Sequence, residues 1–499
     1  MCKCSKKVDF FLKKRLILYK LGKMKEKPQR EDRESLNELL KQYRQLLQGR
    51  QHPYLEEDDF ERIIDYFDEK EQLVEALEAS EIGLQQFPYS SQLMIKKADL
   101  LLATRKYKEA LEVLETASLY DATDVNLYIL KTDAYLALDQ PTKAVALLEE
   151  ALHLFSGEER LDLLFELADV YDDYEEFDKV FDCLRLILEQ DPLNEEALYK
   201  ICFWTDFTGR NEESIVLHQR IIEDHPFSEL AWFNLAAAYQ GLKLYEKSID
   251  AYQYAVAIDE KFDYAYRNMG DAYLRLRKYK EAIEVLEKVL ELNRPEEVIY
   301  EAIGHCYHKM GNYAQARFHY KKAVHLNADD SKLHYKIAVT YMLDQQWSSA
   351  LKHLENAMRI HRKIAEYNLA MGECYLNLGN YKEAIQYFGV VVHQKPRNVA
   401  GWESLLKCLL LAELPEEMMA TSLQASRATD GKPVFLYYYS TALFSLGKTK
   451  EALIQLETAM EKAPRHLKKF IDLNPSILRN LQVVDLMARH KKMPKKKRG

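Results

Sequence analysis

Hydrophobic and polar positions follow each other along this chain with the period of an α-helix, and the same apolar pattern returns every 34 residues. Apolar side chains three and four positions apart lie on one face of a helix, which can then be buried. The pattern is plainest in the segments YKEAIEVLEKVLELN, YAQARFHYKKAVHLN, WSSALKHLENAMRIH and YKEAIQYFGVVVHQKP. Because the strict alternation of β-strands is not visible, the sequence predicts an all-α fold.

Twelve copies of the 34-residue unit follow one another through most of the chain. Their first residues are Glu57, Ser91, Val125, Leu161, Glu195, Glu229, Asp263, Glu297, Ser331, Ala365, Val399 and Pro433. From Leu161 onward nine consecutive units keep the 34-residue step, and a two-residue insertion near Gly157–Glu159 precedes them. A fixed period of this length is typical of solenoids in which each unit is one pair of helices.

Certain positions of the unit carry the same kind of residue from copy to copy. Position 8 is small because two helices cross there, and it holds Ala98, Ala168, Cys202, Ala236, Gly270, Gly304, Ala338 and Gly372. Position 20 is small in ten units for the same reason, and position 11 is tyrosine in seven units. Position 17 often opens the second helix with an aromatic residue, and position 32 is often proline, which cannot continue a helix.

These columns together resemble the tetratricopeptide-repeat (TPR) family. The fit is best in AWFNLAAAYQGLKLYEKSIDAYQYAVAID, where Trp232, Leu235, Ala236 and Tyr239 have the family's spacing. The chain also resembles bacterial cytoplasmic TPR-repeat proteins of unassigned role. The resemblance implies a right-handed α-solenoid of about twelve TPR helix-turn-helix repeats with helical caps, and a non-catalytic role in holding other proteins.

The ends of such an array need helices that cover the apolar faces of the first and last units. The segments ESLNELLKQYRQLL and SILRNLQVVDLMARH read as these caps. The predicted division is a basic, disordered N-terminal segment (1–33), a capping helix (34–56), a TPR solenoid of twelve repeats (57–466), C-terminal capping helices (467–490) and a basic, disordered tail (491–499).

Charge is placed unevenly along the chain, whose formal net charge is −9. Residues 1–30 carry eleven Lys and Arg against two acids, and residues 489–499 carry seven positive charges, which leaves about −25 on residues 31–488. An acidic body repels phosphate and attracts basic segments. The sequence therefore disfavours nucleic acid as the main partner and favours a protein.

The motifs of nucleotide binding and hydrolysis, GxGxxG, GxxxxGK[ST], HExxH and GxSxG, are absent from the sequence. The seven cysteines are odd in number and form no CxxC pair, which argues against a disulfide framework or zinc site and fits a reducing, cytoplasmic setting. Charged residues interrupt the apolar run near the N-terminus, so the sequence predicts no membrane span there. We therefore expect no enzyme activity, no catalytic residues, no metal site and no cofactor.

In TPR proteins the first helix of each pair lines the concave groove through positions 2, 5, 9, 12 and 13, and the resemblance carries these positions over to this chain. The predicted groove begins acidic, with Asp65, Asp99, Asp133 and Asp169 at position 9. Its middle is aromatic, with Tyr199, Phe203 and Phe233. The next stretch is basic, with Arg267, Arg275, His305, Lys332 and Lys336.

Two classes of function remain open from the sequence. The first is a non-catalytic protein–protein interaction scaffold that binds a peptide or partner protein in the concave groove, with a basic segment of the partner in its N-terminal half. The second is a nucleic-acid-associated adaptor that uses the basic tails, one of which ends in PKKKRG. Groove residues face water and are expected to carry charges, so solvation is the alternative interpretation of the aspartate column.

Overall fold

A computed structural model describes residues 30–48, 54–473 and 475–492. These residues form 27 α-helices and two short 3₁₀ helices, and none of them forms a β-strand. The all-α prediction is therefore confirmed. Most of the two basic ends, residues 1–29 and 493–499, lie outside the described residues, so the predicted disorder there stays a prediction.

The helices are short, regular and joined by brief turns. They are α1 (Arg30–Leu47), α2 (Glu57–Glu69), α3 (Leu73–Gln86), α4 (Ser91–Ala103), α5 (Tyr107–Tyr120), α6 (Val125–Ala137), α7 (Pro141–Ala151), α8 (Glu158–Asp173), α9 (Phe177–Gln190), α10 (Glu195–Thr208), α11 (Asn211–Asp224), α12 (Glu229–Gly241), α13 (Tyr245–Ile258), α14 (Asp263–Arg275), α15 (Tyr279–Leu292), α16 (Glu297–Lys309), α17 (Tyr313–Leu326), α18 (Ser331–Leu343), α19 (Trp347–Ile360), α20 (Ala365–Asn377), α21 (Tyr381–Gln394), α22 (Val399–Leu411), α23 (Pro415–Ala428), α24 (Val434–Ser445), α25 (Thr449–Lys462), α26 (Leu467–Leu473) and α27 (Leu481–Lys492). The 3₁₀ helices are Pro464–His466 and Pro475–Arg479.

The first helices of the repeats begin where the 34-residue period places them in ten of the twelve units. The fourth unit differs, because α8 begins at Glu158 rather than at Leu161. Gly157 has a φ of +64° immediately before it, and the acidic Glu158 and Glu159 favour the positive end of a helix. The inserted residues therefore lengthen α8 by almost a turn.

The chain divides into two compact units, which we call unit 1 (up to Glu260) and unit 2 (from Lys261). In unit 1, α1 packs against α2 through Leu40 and Tyr43. In unit 2, α27 contacts α25 and buries Val483 in the terminal core. Within each unit successive helices pack on one another, with α10 and α11 as the exception, and this is the packing expected of TPR repeats.

The small residues at position 8 lie where the two helices of a pair come closest. A Cβ added to Gly304 would lie 2.7 Å from the ring of Tyr320, and one added to Gly372 would lie 2.6 Å from that of Phe388. At Gly270 the nearest atom, in Leu286, would be 2.7 Å away. These distances are shorter than carbon atoms tolerate, so the crossing itself requires the small column.

Replacing Gly270 or Gly304 with leucine is expected to lower the free energy of unfolding by about 1–3 kcal/mol, because an overfilled crossing forces the helices apart. Gly389 supplies a matched control, since a Cβ there would have no atom within 4 Å. Urea unfolding monitored by circular dichroism measures the effect. Midpoints for the Gly270→Leu and Gly304→Leu proteins no lower than that of Gly389→Leu would contradict this assignment of position 8.

The turn between the two helices of each repeat uses one residue in the left-handed conformation. This residue is position 15, and its φ lies between +57° and +79° in all twelve units. Only four of these residues are glycine. The other eight are Glu71, Arg105, Asp139, Glu175, Lys243, Arg277, Gln345 and Glu413. A side chain with a Cβ is strained in this conformation, so these turns hold unfavourable energy that the helix packing offsets.

Three repeats of unit 2 stack the tyrosine at position 11 on the ring at position 23. The pairs are Tyr307 on His319, Tyr341 on His353 and Tyr375 on Tyr387, with ring centroids 5.4, 5.5 and 5.5 Å apart. Burial, with smaller contributions from neighbouring cations, lowers the pKa of His319 and of His353 to about 4. The folded protein therefore keeps both rings neutral.

A pH dependence of stability follows from these two histidines. Their pKa is near 6.5 in an unfolded chain, so unfolding takes up protons between pH 6.5 and about 4, and the stability present above pH 6.5 is lost as the pH falls. The double variant His319→Tyr, His353→Tyr copies the Tyr375–Tyr387 stack and is expected to lose less stability between pH 7 and pH 5, measured by urea unfolding. The exposed His325→Tyr is the control, and equal losses in all three proteins would refute the assignment.

Candidate functional site

An exposed row of aromatic side chains runs along α10. Tyr199, Phe203 and Phe207 are spaced four residues apart and are 63%, 60% and 56% exposed. The opposite side of the same helix is buried through Ala197, Ile201 and Thr205. Residues at i, i+4 and i+8 share one helix face, so α10 places its small residues in the core and its large rings in solvent.

Two further rings extend this row into a cluster. Phe177, the first residue of α9, stacks on Trp204 at 5.4 Å and meets Phe207 edge-on at 4.7 Å. Phe203 lies 5.0 Å from Trp204 and 5.9 Å from Phe207. We call Phe177, Tyr199, Phe203, Trp204 and Phe207 the aromatic face. Four of these rings, those of Phe177, Phe203, Trp204 and Phe207, contact one another, and Tyr199 lies one helical turn before Phe203.

Phe233, the third aromatic residue predicted for the groove, has a different environment. It is half-buried in α12, with its ring 5.6 Å from that of the fully buried Tyr252. The structure thus groups Tyr199 and Phe203 in the aromatic face and places Phe233 against α13.

A buried polar network holds α10 in place. Asn234 of α12 donates through Nδ2 to the carbonyl oxygen of Leu198 at 2.8 Å, and this amide lies 3.2 Å from His218 Nε2. His218 Nδ1 donates to the carbonyl oxygen of Ser214 at 2.7 Å, and Ser214 Oγ lies 3.2 Å from Thr205 Oγ1. Complete burial lowers the pKa of His218 to about 4, so the ring is neutral and its Nε2 accepts from Asn234.

This network changes the packing of the fifth repeat. In other repeats the first helix packs closely on the second, but α10 touches α11 at few residues and contacts α9 and α12 instead. Asn211 and His218 occupy positions 17 and 24 of this repeat, where most units carry aromatic or aliphatic residues. Without those large side chains α11 offers little apolar surface to α10, and Asn234 fixes α10 from the next repeat.

The aspartate column of unit 1 is partly neutralised within the chain. Lys96 Nζ donates to Asp65 Oδ1 at 2.6 Å, and Lys200 Nζ lies 3.7 Å from Asp169 Oδ1. Both lysines occupy position 6 of the following repeat, so each ion pair bridges neighbouring first helices. Asp133 is half-exposed and Asp99 is exposed. The repeat column predicts the four aspartates as one group, but it does not show the lysines that pair with Asp65 and Asp169.

The acidic character of unit 1 extends well beyond that column. Residues 54–260 contain 47 acidic and 17 basic residues, which gives a net charge of −30. Residues 261–492 contain 26 acidic and 34 basic residues, which gives a net charge of +8. Burial and then nearby carboxylates raise the pKa of Glu61 in α2 and of Asp162 in α8. The negative charge of residues 31–488 therefore belongs to unit 1.

The arginines predicted for the groove lie in unit 2 and have partners of their own. Both terminal nitrogens of Arg267 donate to Glu296, at 2.7 and 2.6 Å, which raises the pKa of the arginine and lowers that of the carboxyl. Arg275 Nε donates to Asp271 at 3.4 Å one turn earlier in α14. The bidentate pair engages both terminal nitrogens of Arg267, which leaves this arginine fewer donors for a partner.

The remaining basic residues of the predicted groove lie in α16 and α18. Lys336 donates to Glu301, and Lys332 is exposed at the start of α18. Burial, followed by the charges of Lys309 and Lys336, lowers the pKa of His305, so this ring is neutral at pH 7. The basic patch of unit 2 is therefore weaker than the sequence column indicates.

Among the described residues one group of three carboxylates, Glu297, Glu301 and Asp330, brings its oxygens within 4.8 Å of one another. Each carboxylate already has a partner. Asn327 donates to Glu297, Lys336 donates to Glu301, and Asp330 accepts from the backbone N–H of Lys332 at the start of α18. These three carboxylates are half-buried, and their hydrogen bonds within the chain account for their positions without an ion.

The five cysteines within the described residues are free thiols. Burial raises the pKa of Cys306 and of Cys374 to about 12, which keeps these thiols protonated and unreactive. They fill the core, as their place in the repeat predicts. No helix in the described part of the chain combines the length and the apolar character needed to cross a bilayer.

Three sequence-family models match the chain. Residues 95–159 and 341–407 match models described as tetratricopeptide repeat, and residues 234–368 match the C-terminal ARM domain of tetratricopeptide repeat protein 21. Although that last description contains ARM, the matched stretch keeps the 34-residue step, with helices beginning at Asp263, Glu297 and Ser331. No curated protein matches the sequence.

Solved structures that match parts of this chain do so at low sequence identity and with TM-scores below 0.5. YrrB, titled a TPR protein with an unusual peptide-binding site, is 19% identical over 38% of this chain and 96% of its own, with a TM-score of 0.34. The C-terminal part of a TPR repeat-containing protein from Cytophaga hutchinsonii is 16% identical over 51% of this chain and 98% of its own (TM-score 0.42). The structure of pilF from Pseudomonas aeruginosa is 18% identical over 42% of this chain and 95% of its own, with a TM-score of 0.34.

These structural likenesses are too distant to carry an argument about function. The assignment rests on the matches in both units to tetratricopeptide models and on the repeated helix pairs with their small crossing residues. TPR proteins are generally scaffolds that bind other proteins and are typically without enzyme activity. This chain is a tetratricopeptide-repeat protein.

Proposed function

We propose that this chain is a non-catalytic scaffold whose unit 1 binds a partner protein through a segment that carries both basic and apolar side chains. The observation that supports this proposal is the aromatic face of α10, with three large rings more than half exposed within an acidic unit. The partner segment lies on these rings, and its cations face the surrounding carboxylates.

The exposed rings favour an apolar contact. Burying a large side chain contributes about 1.5–3 kcal/mol, and a helix that keeps three such rings in solvent forgoes this energy until a partner covers them. Contiguous apolar patches on soluble proteins commonly mark binding sites, and aromatic residues dominate the binding energy of protein interfaces. Tyr199, Phe203 and Phe207 therefore provide the anchoring surface.

The chain's own Lys200 illustrates how a cation binds on this surface. Its Nζ lies 5.0 Å from the ring of Phe165, 2.7 Å from Glu196 and 3.7 Å from Asp169. An aromatic ring and two carboxylates thus hold one ammonium group between α8 and α10. Lysine or arginine side chains of a partner have the same chemistry available at the neighbouring acidic residues, and the charge of unit 1 also accelerates their approach.

The longer groove predicted from the sequence remains part of this proposal. In it, Asp65, Asp99, Asp133 and Asp169 receive the basic end of the partner, while the basic residues of unit 2 receive an acidic end. Their internal partners, such as Lys96 and Glu296, lower the energy available at each position, since exposed ion pairs contribute about 0–1 kcal/mol. A cytoplasmic location and the division into cap, solenoid and tail stay predictions as well.

A peptide pair of opposite charge tests the proposal. A fluorescein-labelled peptide of alternating lysine and leucine is titrated with the protein and followed by fluorescence anisotropy, and a glutamate–leucine peptide of equal length is the control. We expect the basic peptide to bind at least about tenfold more tightly, and its affinity to fall as salt screens the charges. Equal affinity for both peptides, or no binding of either, would contradict the proposal.

Nucleic-acid binding through the basic ends is the second class left open by the sequence. No contact among the described residues favours it, and the net charge of −30 over residues 54–260 repels phosphate. It therefore stays a prediction about the segments 1–29 and 493–499, most of the two basic ends.

A further inference from the structure

We infer that Met1–Gln29 of this same chain occupies the aromatic face, so that a partner protein must displace the chain's own N-terminal segment before it binds. The inference rests on the proposed function, because it assigns an internal competitor to the same surface. It converts unit 1 from an open binding surface into a regulated one.

The segment has the chemistry that the proposed function assigns to a partner. Residues 1–29 contain ten Lys and Arg and two acids, a net charge of +8. Within it, VDFFLKKRLILYKLGK places Phe10–Leu12 and Leu16–Tyr19 on either side of three consecutive basic residues. Apolar anchors and cations are therefore interleaved over a short stretch, as the rings and carboxylates are on unit 1.

Charge complementarity directs the segment to unit 1. Residues 54–260 carry −30, which attracts a segment of +8, whereas residues 261–492 carry +8 and repel it. The basic end at residues 493–499, MPKKKRG, carries +4 and has no run of apolar residues to cover the rings. Of the chain's two basic ends, the N-terminal one therefore fits the aromatic face in both charge and apolar content.

The covalent connection to α1 favours binding of this segment over binding of a separate peptide of the same sequence. The segment joins α1 at Arg30, and α1 packs on α2 at the beginning of unit 1. Twenty-nine residues span up to about 100 Å when extended, far enough to reach the fifth repeat of an array whose helices lie about 10 Å apart. A tether of this kind gives an effective concentration of the order of millimolar, so even an intrinsic Kd of about 0.1 mM fills the face.

The test compares the full chain with a shortened chain that begins at Arg30. The probe is a fluorescein-labelled peptide of residues 1–29, and its binding is followed by anisotropy at low salt. We expect the shortened chain to bind the probe at least about tenfold more tightly than the full chain, because its face is vacant. Equal affinities in the two proteins would overturn the inference.

A second variant keeps the chain at full length and its charge unchanged. Phe10→Ser, Phe11→Ser and Leu16→Ser together remove three of the seven apolar anchors and are expected to raise probe affinity toward that of the shortened chain. The matched control makes three charge-neutral changes outside the apolar run, Cys4→Ser, Gly22→Ser and Gln29→Ser, and should stay occluded. Equal probe affinity of the two triple variants would refute docking through the apolar residues.

The lysine–leucine peptide separates the two proposals. If it binds the full and shortened chains with the same affinity, the face is a binding site that the segment does not occupy, and only the inference fails. If it binds neither chain, the proposed function fails together with the inference. Tighter binding of both peptides to the shortened chain supports both.

Discussion

Replacing Tyr199, Phe203 and Phe207 together with serine is expected to weaken binding of the lysine–leucine peptide by about a hundredfold or more, measured on the chain that begins at Arg30. Buried aromatic anchors commonly contribute 2 kcal/mol or more each, and three of them lie side by side here. The fold should persist, because the buried side of α10 consists of other residues and the network around His218 is untouched. Circular dichroism and anisotropy on the same samples measure both quantities.

The control for this variant removes three exposed rings elsewhere in unit 1. Tyr89, Tyr120 and Phe227 are 71%, 49% and 83% exposed and lie outside the aromatic face. Their replacement with serine should leave peptide affinity within about twofold, since exposed residues outside an interface contribute little. A similar loss of affinity in both triple variants would show that general apolarity, rather than the face on α10, binds the peptide.

Glycine at the eight strained turn positions is expected to stabilise the protein by about 4–8 kcal/mol in total. A residue with a Cβ is disfavoured in the left-handed conformation by about 1–2 kcal/mol, and glycine gives back about 0.5–1 kcal/mol through the entropy of the unfolded chain. The net gain is then about 0.5–1 kcal/mol for each turn from Glu71 to Glu413. Because repeats interact mainly with their neighbours, separate turns should contribute additively, and urea unfolding measures the sum.

The residue just before each of these turn positions provides a matched control. It ends the first helix with a negative φ, for example −91° at Lys70 and −80° at Leu242, where glycine relieves no strain. Eight glycines placed there should therefore lower the unfolding midpoint. If the eight glycines at the turn positions and the eight at the preceding residues shift the urea unfolding midpoint in the same direction, the strain inferred from the positive φ values is absent.

The helices were predictable because the repeat supplies the same information many times. Ten of twelve first helices begin at the residue given by the 34-residue period, and the close crossings at Gly270, Gly304 and Gly372 follow the small column. The start of α8 was misplaced because an insertion breaks the period. The left-handed turn positions were not predictable for a different reason. Glycine is the residue that indicates a positive φ, and residues such as Glu71 and Arg105 do not.

The candidate site was predictable only in part. Large rings at the predicted groove positions of one helix pointed to Tyr199 and Phe203, which are exposed on α10. Helix periodicity does not show that the ring of Phe233 lies against Tyr252. The lysines that pair with Asp65 and Asp169 come from the next repeat, so a column read one repeat at a time misses them. The packing of α10 onto α12 depends on several polar residues together, among them Asn211, His218 and Asn234. No single position of the repeat is therefore enough to predict it.

The bond from Asn234 to Leu198 and His218 also limits how this array can change its length. A repeat protein grows or shrinks when whole units are duplicated or lost, which requires each unit to carry its own packing surfaces. The fifth unit does not, because α10 is held by an amide that belongs to the sixth. Loss of the sixth unit alone would leave the buried imidazole of His218 without the donor to its Nε2. We therefore expect these two units, together 68 residues or twice the 34-residue period, to be stable only when both are present, because the surface on α10 depends on both.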